Sequence, residues 1–181
     1  QGWRANPLSL AKIPLRGTTT ESVRAAGLAP LYRNGVVPEE IQALAAEFGL
    51  KADTRTTGGS LHEAGFAFDI TGAPEDMDRF SQFVADNLGS QTLELIHMNE
   101  RTGQKWEWAG GRRVGAGTDL PNYYDETIAD HGDYGSNAHV HWATDVLPVR
   151  GGAAPVPPSR MPPGREGQRG GQSNADDDWM N

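Results

Sequence analysis

The chain has 181 residues, which is enough for one domain with a sizeable core and additional segments. It carries a net charge of −8, contains no cysteine, and shows no basic patch interleaved with aromatic residues. These features exclude a disulfide framework, a thiol nucleophile and a cysteine-type zinc site, and they argue against nucleic acid as a partner.

The first half of the chain predicts two helices and two strands. Residues 1–35 are mixed in composition and predict one short helix, over 21–26. Pro38 stands where a first helical residue is favoured, two glutamates follow it, and apolar residues then recur at the helical period. Residues 50–56 and 66–71 each predict a strand.

The second half predicts one more helix, two strands and a hairpin. An apolar stripe at helical spacing runs over 74–88, and a strand pattern follows over 93–98. Residues 105–114 predict a hairpin or flap that turns at two glycines, and the Gly-, Asn- and Asp-rich residues 115–137 predict a long loop. A last strand is expected over 140–146. This order predicts an α+β fold with a small, mainly antiparallel sheet of about four strands and flanking helices.

Composition divides the chain into three parts: an N-terminal extension over 1–35, a domain over 36–148, and a Gly/Pro-rich segment over 149–181. The last part buries too little apolar surface to offset its ordering entropy, so it is predicted to be a disordered tail or linker. No apolar run reaches the length of a membrane span, and no signal peptide is visible. Because the chain begins with Gln1, we expect it to be processed or to belong to a longer polypeptide with further domains.

Two separate segments supply side chains that can meet at one divalent metal. The ten residues from Ser60 to Asp69 fit the pattern S-x-H-x-x-G-x-A-x-D, with His62 as its histidine, and His139 and His141 form a later H-x-H. Two imidazoles and one carboxylate leave a fourth tetrahedral position for water. That arrangement is typical of catalytic zinc sites rather than closed structural ones.

The spacing of His139 and His141 leaves several arrangements open. On a strand both imidazoles project from one face, with their Cα atoms roughly 7 Å apart. Both rings can therefore bind one metal, or one can bind it while the other lies beside its water. If both bind together with His62 and Asp69, the four protein ligands fill the site and catalysis is disfavoured. The plainest alternative is a pair of structural histidines.

The two motifs together resemble the zinc D-Ala-D-Ala carboxypeptidase and endopeptidase family, whose wider group includes the lysostaphin-type enzymes and the hedgehog signalling domain. The resemblance covers roughly residues 36–146. It implies the hedgehog and D,D-peptidase type of zinc peptidase fold and one Zn²⁺ per chain. It also implies that His62, Asp69 and His141 bind the metal, while His139 belongs to the outer catalytic shell.

The resemblance further implies roles for residues around the metal ligands. Some family members have a Glu or Asp as general base three residues before the final ligand, where this chain has Ala138. The H-x-H branch lacks that base too, and its histidine at the position of His139 implies a catalytic role there. Arg55 matches the arginine that contacts a substrate carboxylate or carbonyl. Ser60 matches the motif serine, which orients the loop or contacts substrate.

Four other residues are singled out by position. His131 and Asp133 lie close enough in sequence to His139 to orient it. His97 lies on the strand over 93–98, where a position beside the site or at the sheet edge is expected rather than a ligand role. Trp142 alternates away from the histidines of its strand and is expected in the core.

The function that follows from the resemblance is hydrolysis of peptide bonds in bacterial peptidoglycan, of the D,D-carboxypeptidase or endopeptidase type. Modules of this kind occur in phage lysins, phage tail proteins, secreted effectors and wall-remodelling enzymes, so a secreted, periplasmic or virion-associated location is expected. One alternative is a non-catalytic module in which zinc stabilises a structural or wall-binding fold. Another is a glycan-cleaving enzyme, which would need two carboxylates beside a groove, with Glu63 and Glu94 as the candidates.

Overall fold

The computed structural model describes residues 2–7, 19–55 and 60–151. The helices are α1 (Thr20–Ala25), α2 (Glu39–Glu47), α3 (Ser60–Glu63) and α4 (Pro74–Phe83). The strands are β1 (Trp3–Arg4), β2 (Lys51–Asp53), β3 (Ala67–Thr71), β4 (Thr92–Asn99), β5 (Gln104–Ala109), β6 (Arg112–Arg113), β7 (Val140–Thr144) and β8 (Val149–Arg150). Helix α4 continues into a π-helical turn, Val84–Leu88, and short 3₁₀ turns cover Gly89–Gln91 and Ile128–His131.

The described chain is an α+β fold built on one antiparallel sheet, as the order of elements predicts. The sheet has six strands in the order β2-β3-β7-β4-β5-β6, while β1 and β8 pair separately. The expected number of about four strands is therefore wrong. The difference arises because the hairpin over 104–113 is not a detached flap: β5 pairs with β4 along its length, with Ile96 opposite Glu107, and β6 then pairs with β5.

Helices α2 and α4 cover one face of the sheet and form the main core with it. Ile41 and Leu44 of α2 and Phe80 of α4 pack with the inward residues of the strands. Trp142 of β7 is fully buried in this cluster, which confirms its predicted core position. Truncating a buried tryptophan to alanine costs about 3–5 kcal/mol, so Trp142 is a strong anchor for the strand that carries His141.

The other face of the sheet carries the candidate site. In the strand register Asp69 of β3 lies directly opposite His141 of β7, and His141 lies opposite Ile96 of β4. The loop after β6 packs over the β4–β5 half of this face through an apolar cluster that comprises Ile96, Ala109, Val114, Tyr124 and Ile128. Tyr124 ties the loop down further, because its hydroxyl donates to the carbonyl of Trp108 at 3.0 Å.

Segments outside the predicted domain limits also pack on it. Trp3 and Tyr32, both in the expected N-terminal extension, belong to the main core. Strand β8, which composition assigns to the tail, pairs with β1, and the Arg150 guanidinium lies 4.8 Å above the centre of the Trp3 ring. The folded unit thus reaches beyond 36–148 at both ends. The remainder of the predicted tail, 152–181, lies outside the described residues.

Among the helices of the described ranges, none is long and apolar enough to cross a membrane.

Candidate metal centre

A tight turn sets the position of His62 relative to the sheet. His62 lies on α3, and Gly65 turns the chain into β3 with a φ of +83°. A Cβ atom at Gly65 would come within 2.3 Å of the Tyr32 carbonyl oxygen, so only glycine fits there. The Tyr32 hydroxyl also contacts the carbonyls of His62 at 2.9 Å and Ala67 at 2.8 Å, which links the helical turn to the strand.

The three predicted metal ligands converge on one point. His62 Nε2 lies 3.1 Å from Asp69 Oδ1, and His141 Nδ1 lies 3.9 Å from the same oxygen. The His62 and His141 rings are 5.0 Å apart between centroids. One donor atom from each of the three residues lies within 4.8 Å of the others, so this buried group can in principle hold a metal ion.

The hydrogen bonding of the centre fits a cation. Both ring nitrogens of His62, together with Asp69 Oδ1 and His139 Nε2, are buried and have no hydrogen-bond partner among the described residues. Buried polar atoms in proteins are almost always paired, so each such exception needs an explanation such as a bound ion. A cation between the imidazoles and the carboxylate would satisfy His62 Nε2 and Asp69 Oδ1 together.

The Asp69 carboxylate is held in its charged form. Burial by itself raises the pKa of Asp69, but the contact from His62 and the positive charge that His62, His139 and His141 can carry outweigh it and lower the pKa to about 2. Its second oxygen, Oδ2, lies 3.0 Å from Nε of Arg55, whose side chain is half exposed. Asp69 therefore presents one oxygen to the histidines and the other to a guanidinium.

Glu94 of β4 orients His141. The side chain of Glu94 is buried, and its Oε2 lies 3.0 Å from His141 Nε2. A carboxylate accepts the hydrogen bond, so Nε2 carries the proton and the lone pair of Nδ1 faces Asp69. A carboxylate behind a histidine ligand commonly fixes the ring and its tautomer in this way at metal sites.

We predict that Glu94→Ala lowers metal affinity about 10–100-fold, because the His141 ring loses the group that fixes its tautomer. Glu94→Gln is the matched control, since its amide oxygen still accepts from Nε2, and we expect a smaller loss. Titration of metal-stripped protein against a competing chromophoric chelator measures both affinities. Identical affinities for wild type and Glu94→Ala would contradict the role given to Glu94.

His139 lies beside the three-residue group rather than in it. Its Nδ1 is 2.6 Å from the carbonyl of Asn137, to which it donates, so Nε2 presents a lone pair. That Nε2 is 3.7 Å from Asp69 Oδ1 and lacks a hydrogen-bond partner in the described chain. The geometry thus gives a partly exposed imidazole that, in its neutral form, directs the lone pair of Nε2 to the centre.

A cavity of about 420 Å³ lies against this side of the centre, lined by Arg55, Asp69, Asp130, His131, Asn137 and His139. The His131 ring is 4.7 Å from the His139 ring, and its Nδ1 donates to the carbonyl of Thr127 at 2.8 Å. Burial lowers the pKa of His131 to about 4, with the neighbouring histidines acting in the same direction. Near neutral pH, His131 is therefore an uncharged wall of the cavity.

The other candidates from the sequence are placed differently. Arg55 is brought to the centre, where it contacts Asp69, whereas the side chain of Ser60 lies outside the described part of the chain. The two carboxylates considered for glycan cleavage do not share a groove: Glu94 is bound to His141, and Glu63 lines a separate cavity.

Two contributors to the site were not expected from the sequence. The sequence offers Glu94 only as a candidate for glycan cleavage, and it predicts no contact between Arg55 and Asp69. A signal for Glu94 exists, because a single carboxylate interrupts the apolar run from Leu93 to Ile96. A buried charge in such a strand requires a partner.

Comparisons with protein-family models, with curated proteins and with solved structures find no match to this chain. The motifs and the geometry of the centre are therefore the features that point to a function.

Proposed function

We propose that this protein is a zinc-dependent peptidoglycan peptidase that hydrolyses stem or cross-link peptides of the bacterial cell wall. One observation carries the proposal. Three motif residues that are up to 79 positions apart in the sequence, His62, Asp69 and His141, bring their donor atoms together. His62 Nε2 and Asp69 Oδ1 are buried there without a hydrogen-bond partner among the described residues, and the His141 ring is oriented towards the same carboxylate oxygen. Their order along the chain is the one seen in the zinc D-Ala-D-Ala peptidase family that the sequence resembles.

The donor set supports zinc as the ion, with one ion per chain. Imidazole nitrogen and carboxylate oxygen are both common zinc ligands, and three protein ligands leave a position for substrate or water, as catalytic sites require. When bound, the ion supplies Lewis-acid chemistry: it polarises a peptide carbonyl and makes water more acidic.

The catalytic role in this proposal falls to His139. Its Nδ1 is committed to the Asn137 carbonyl, so the lone pair of Nε2 faces the centre. That nitrogen is suited to take a proton from water, and once protonated it can stabilise a negatively charged oxygen. The uncharged ring of His131 beside it does not compete for the same proton near neutral pH.

Substrate binding in this proposal falls to the residues that line the cavity. Arg55 is half exposed and contacts Asp69 through Nε, the nitrogen nearest the chain. Its outer nitrogens suit a carboxylate of the wall peptide, because the planar guanidinium can bind two oxygens at once. Ser60 is retained as a substrate or loop contact from the motif alone. Because the proposed substrate is the cell wall, the protein would act as a secreted, periplasmic or virion-associated component.

Digestion of purified sacculi by the zinc-loaded protein tests the proposal. We expect new muropeptides in which a stem or cross-link peptide is cut, identified by mass spectrometry, and we expect none with His62→Ala. Unchanged muropeptides from a protein with stoichiometric zinc would reject the peptidase and favour a non-catalytic wall-binding or structural module. New reducing ends with intact peptides would instead indicate glycan cleavage.

A further inference from the structure

His97 is a fully buried histidine on the face of the sheet opposite the metal centre. It lies on β4 and stacks on Trp106, its partner on β5, with ring centroids 5.6 Å apart and an angle of 27° between the planes. Trp106 belongs to the main core, so His97 sits at the edge of that core. A buried polar ring in such a place is costly unless both nitrogens are hydrogen-bonded.

One nitrogen of His97 reaches the main chain of the two histidines that line the active-site cavity. His97 Nδ1 lies 3.0 Å from the carbonyl of His131 and 3.2 Å from the carbonyl of His139. Carbonyl oxygens only accept, so Nδ1 carries the proton and donates to both. A single buried N–H thereby joins His131, in the long loop, to His139, the residue that precedes β7.

The other nitrogen is held from helix α4. His97 Nε2 lies 3.2 Å from Oδ1 of Asp78, and the second oxygen of Asp78 accepts from the side-chain amide of Asn99. Because Nδ1 already carries one proton, the contact with Asp78 needs a second proton, either on Nε2 or on Oδ1. These contacts and the stack on Trp106 fix the plane of the ring. Because both nitrogens are engaged in this way, His97 is placed to orient main chain rather than to bind metal.

The loop segment that follows His131 is fixed to the same end of β4. Gly132 forms a parallel bridge with Met98, and the Asp133 carboxylate accepts from the backbone N–H of Glu100 at 3.0 Å. These contacts hold the backbone beyond His131. The N–H of His97, in contrast, reaches the carbonyls of both cavity histidines.

We propose that His97 is a positioning residue, which sets the placement of His139 and His131 over the metal centre through their carbonyls while Asp78 fixes its ring. The inference rests on the proposed function, because it assigns the purpose of that placement to peptide hydrolysis. His97 acts from behind the sheet and touches neither substrate nor metal. A misplacement of a catalytic group by about 1 Å can cost on the order of 100-fold in rate, so such a residue has a measurable effect.

Two substitutions at position 97 separate the contacts of the ring. The amide nitrogen of asparagine is as many bonds from Cβ as Nδ1, so His97→Asn keeps a donor for the two carbonyls and loses the contact with Asp78. The amide nitrogen of glutamine is as many bonds from Cβ as Nε2, so His97→Gln keeps a donor for Asp78 and loses the carbonyls. Asp78→Asn is the matched control, because its amide can donate to the lone pair that a singly protonated ring has at Nε2 and can still accept from Asn99.

We expect His97→Gln to lower kcat on sacculi on the order of 10- to 100-fold, with KM and zinc content nearly unchanged. His97→Asn and Asp78→Asn should stay within about threefold of wild type, because both keep the bonds to the carbonyls. Thermal melting of each variant is measured alongside. A residue with a purely structural role would lower the melting temperature in both position-97 variants without separating their kcat values, and that result would overturn the inference.

A second readout keeps this inference separate from the proposed function. Long-range ¹H–¹⁵N spectra of the histidine rings report the environment of His139 and His131 with or without activity. If wild type cuts no muropeptide, the proposed function fails, and these spectra alone decide the positioning. Shifted ring resonances of His139 in His97→Gln but not in His97→Asn support it. Unchanged resonances in His97→Gln overturn it.

Discussion

Stoichiometric zinc is expected to bind wild-type protein and to be lost on replacement of either His62 or Asp69 by alanine. Each residue supplies one of the three converging donors, and Asp69 Oδ1 is the atom that both histidines approach. Loss of a hydrogen-bond partner behind a ligand lowers metal affinity about 10–100-fold, and loss of the ligand itself should weaken zinc binding by more than that. Elemental analysis after dialysis against a trace of chelator measures the bound metal, and prolonged chelation of wild type should abolish its activity.

Glu63→Ala is the matched control for these two substitutions. Glu63 is an exposed acid next to His62 on the same helical turn, and it is outside the group of converging donors. It should retain one zinc per chain. Retention of stoichiometric zinc by both His62→Ala and Asp69→Ala would show that the ion is held elsewhere, and the assignment of this centre would be wrong.

The sequence predicts the helices and central strands well because their apolar periodicities are local. The helix predicted from Pro38 is found as Glu39–Glu47, and the strand predicted over 93–98 as Thr92–Asn99. The pattern S-x-H-x-x-G-x-A-x-D also places a glycine where the chain needs a positive φ, at Gly65. A helix or strand whose signal lies in one short stretch of sequence can thus be predicted from the residue pattern alone.

Features that depend on contacts between residues far apart in the sequence are harder to predict. Strands β1 and β8 have two residues each, too few for a period, and they pair because the fold brings these two segments together. The contact of Glu94 with His141 spans 47 positions and follows from β4 lying next to β7, which no local pattern encodes. No helix is predicted over 60–63, because four residues are too short to show a helical stripe.

The same limit applies to the centre itself. The spacing H-x-H places His139 and His141 on one side of a strand but leaves open whether both bind the ion. In the structure His141 is backed by Glu94 and directs Nδ1 to the centre, whereas His139 is tied to Asn137 just before the strand begins. The partners behind each ring therefore distinguish the two histidines, and those partners come from other parts of the fold.

Replacing each of these two histidines by alanine separates their roles by experiment. His141→Ala should lose zinc and activity together, because it removes a donor of the converging group. His139→Ala should keep one zinc and its fold, yet lose on the order of 10²–10⁴-fold in turnover, the range for removal of a general base or an oxyanion donor. Elemental analysis, thermal melting and muropeptide release are measured on both variants in parallel.

The two possible patterns of zinc loss have different consequences for the function. If only His141→Ala loses the ion, the centre has three protein ligands, and the lone pair of His139 Nε2 is available to handle a proton beside it. Equal loss in both variants would make His139 a fourth ligand, which its distance of 3.7 Å from Asp69 Oδ1 does not forbid after a small rotation of the ring. Four protein ligands would close a tetrahedral site, so the non-catalytic module would then be the better explanation of the fold.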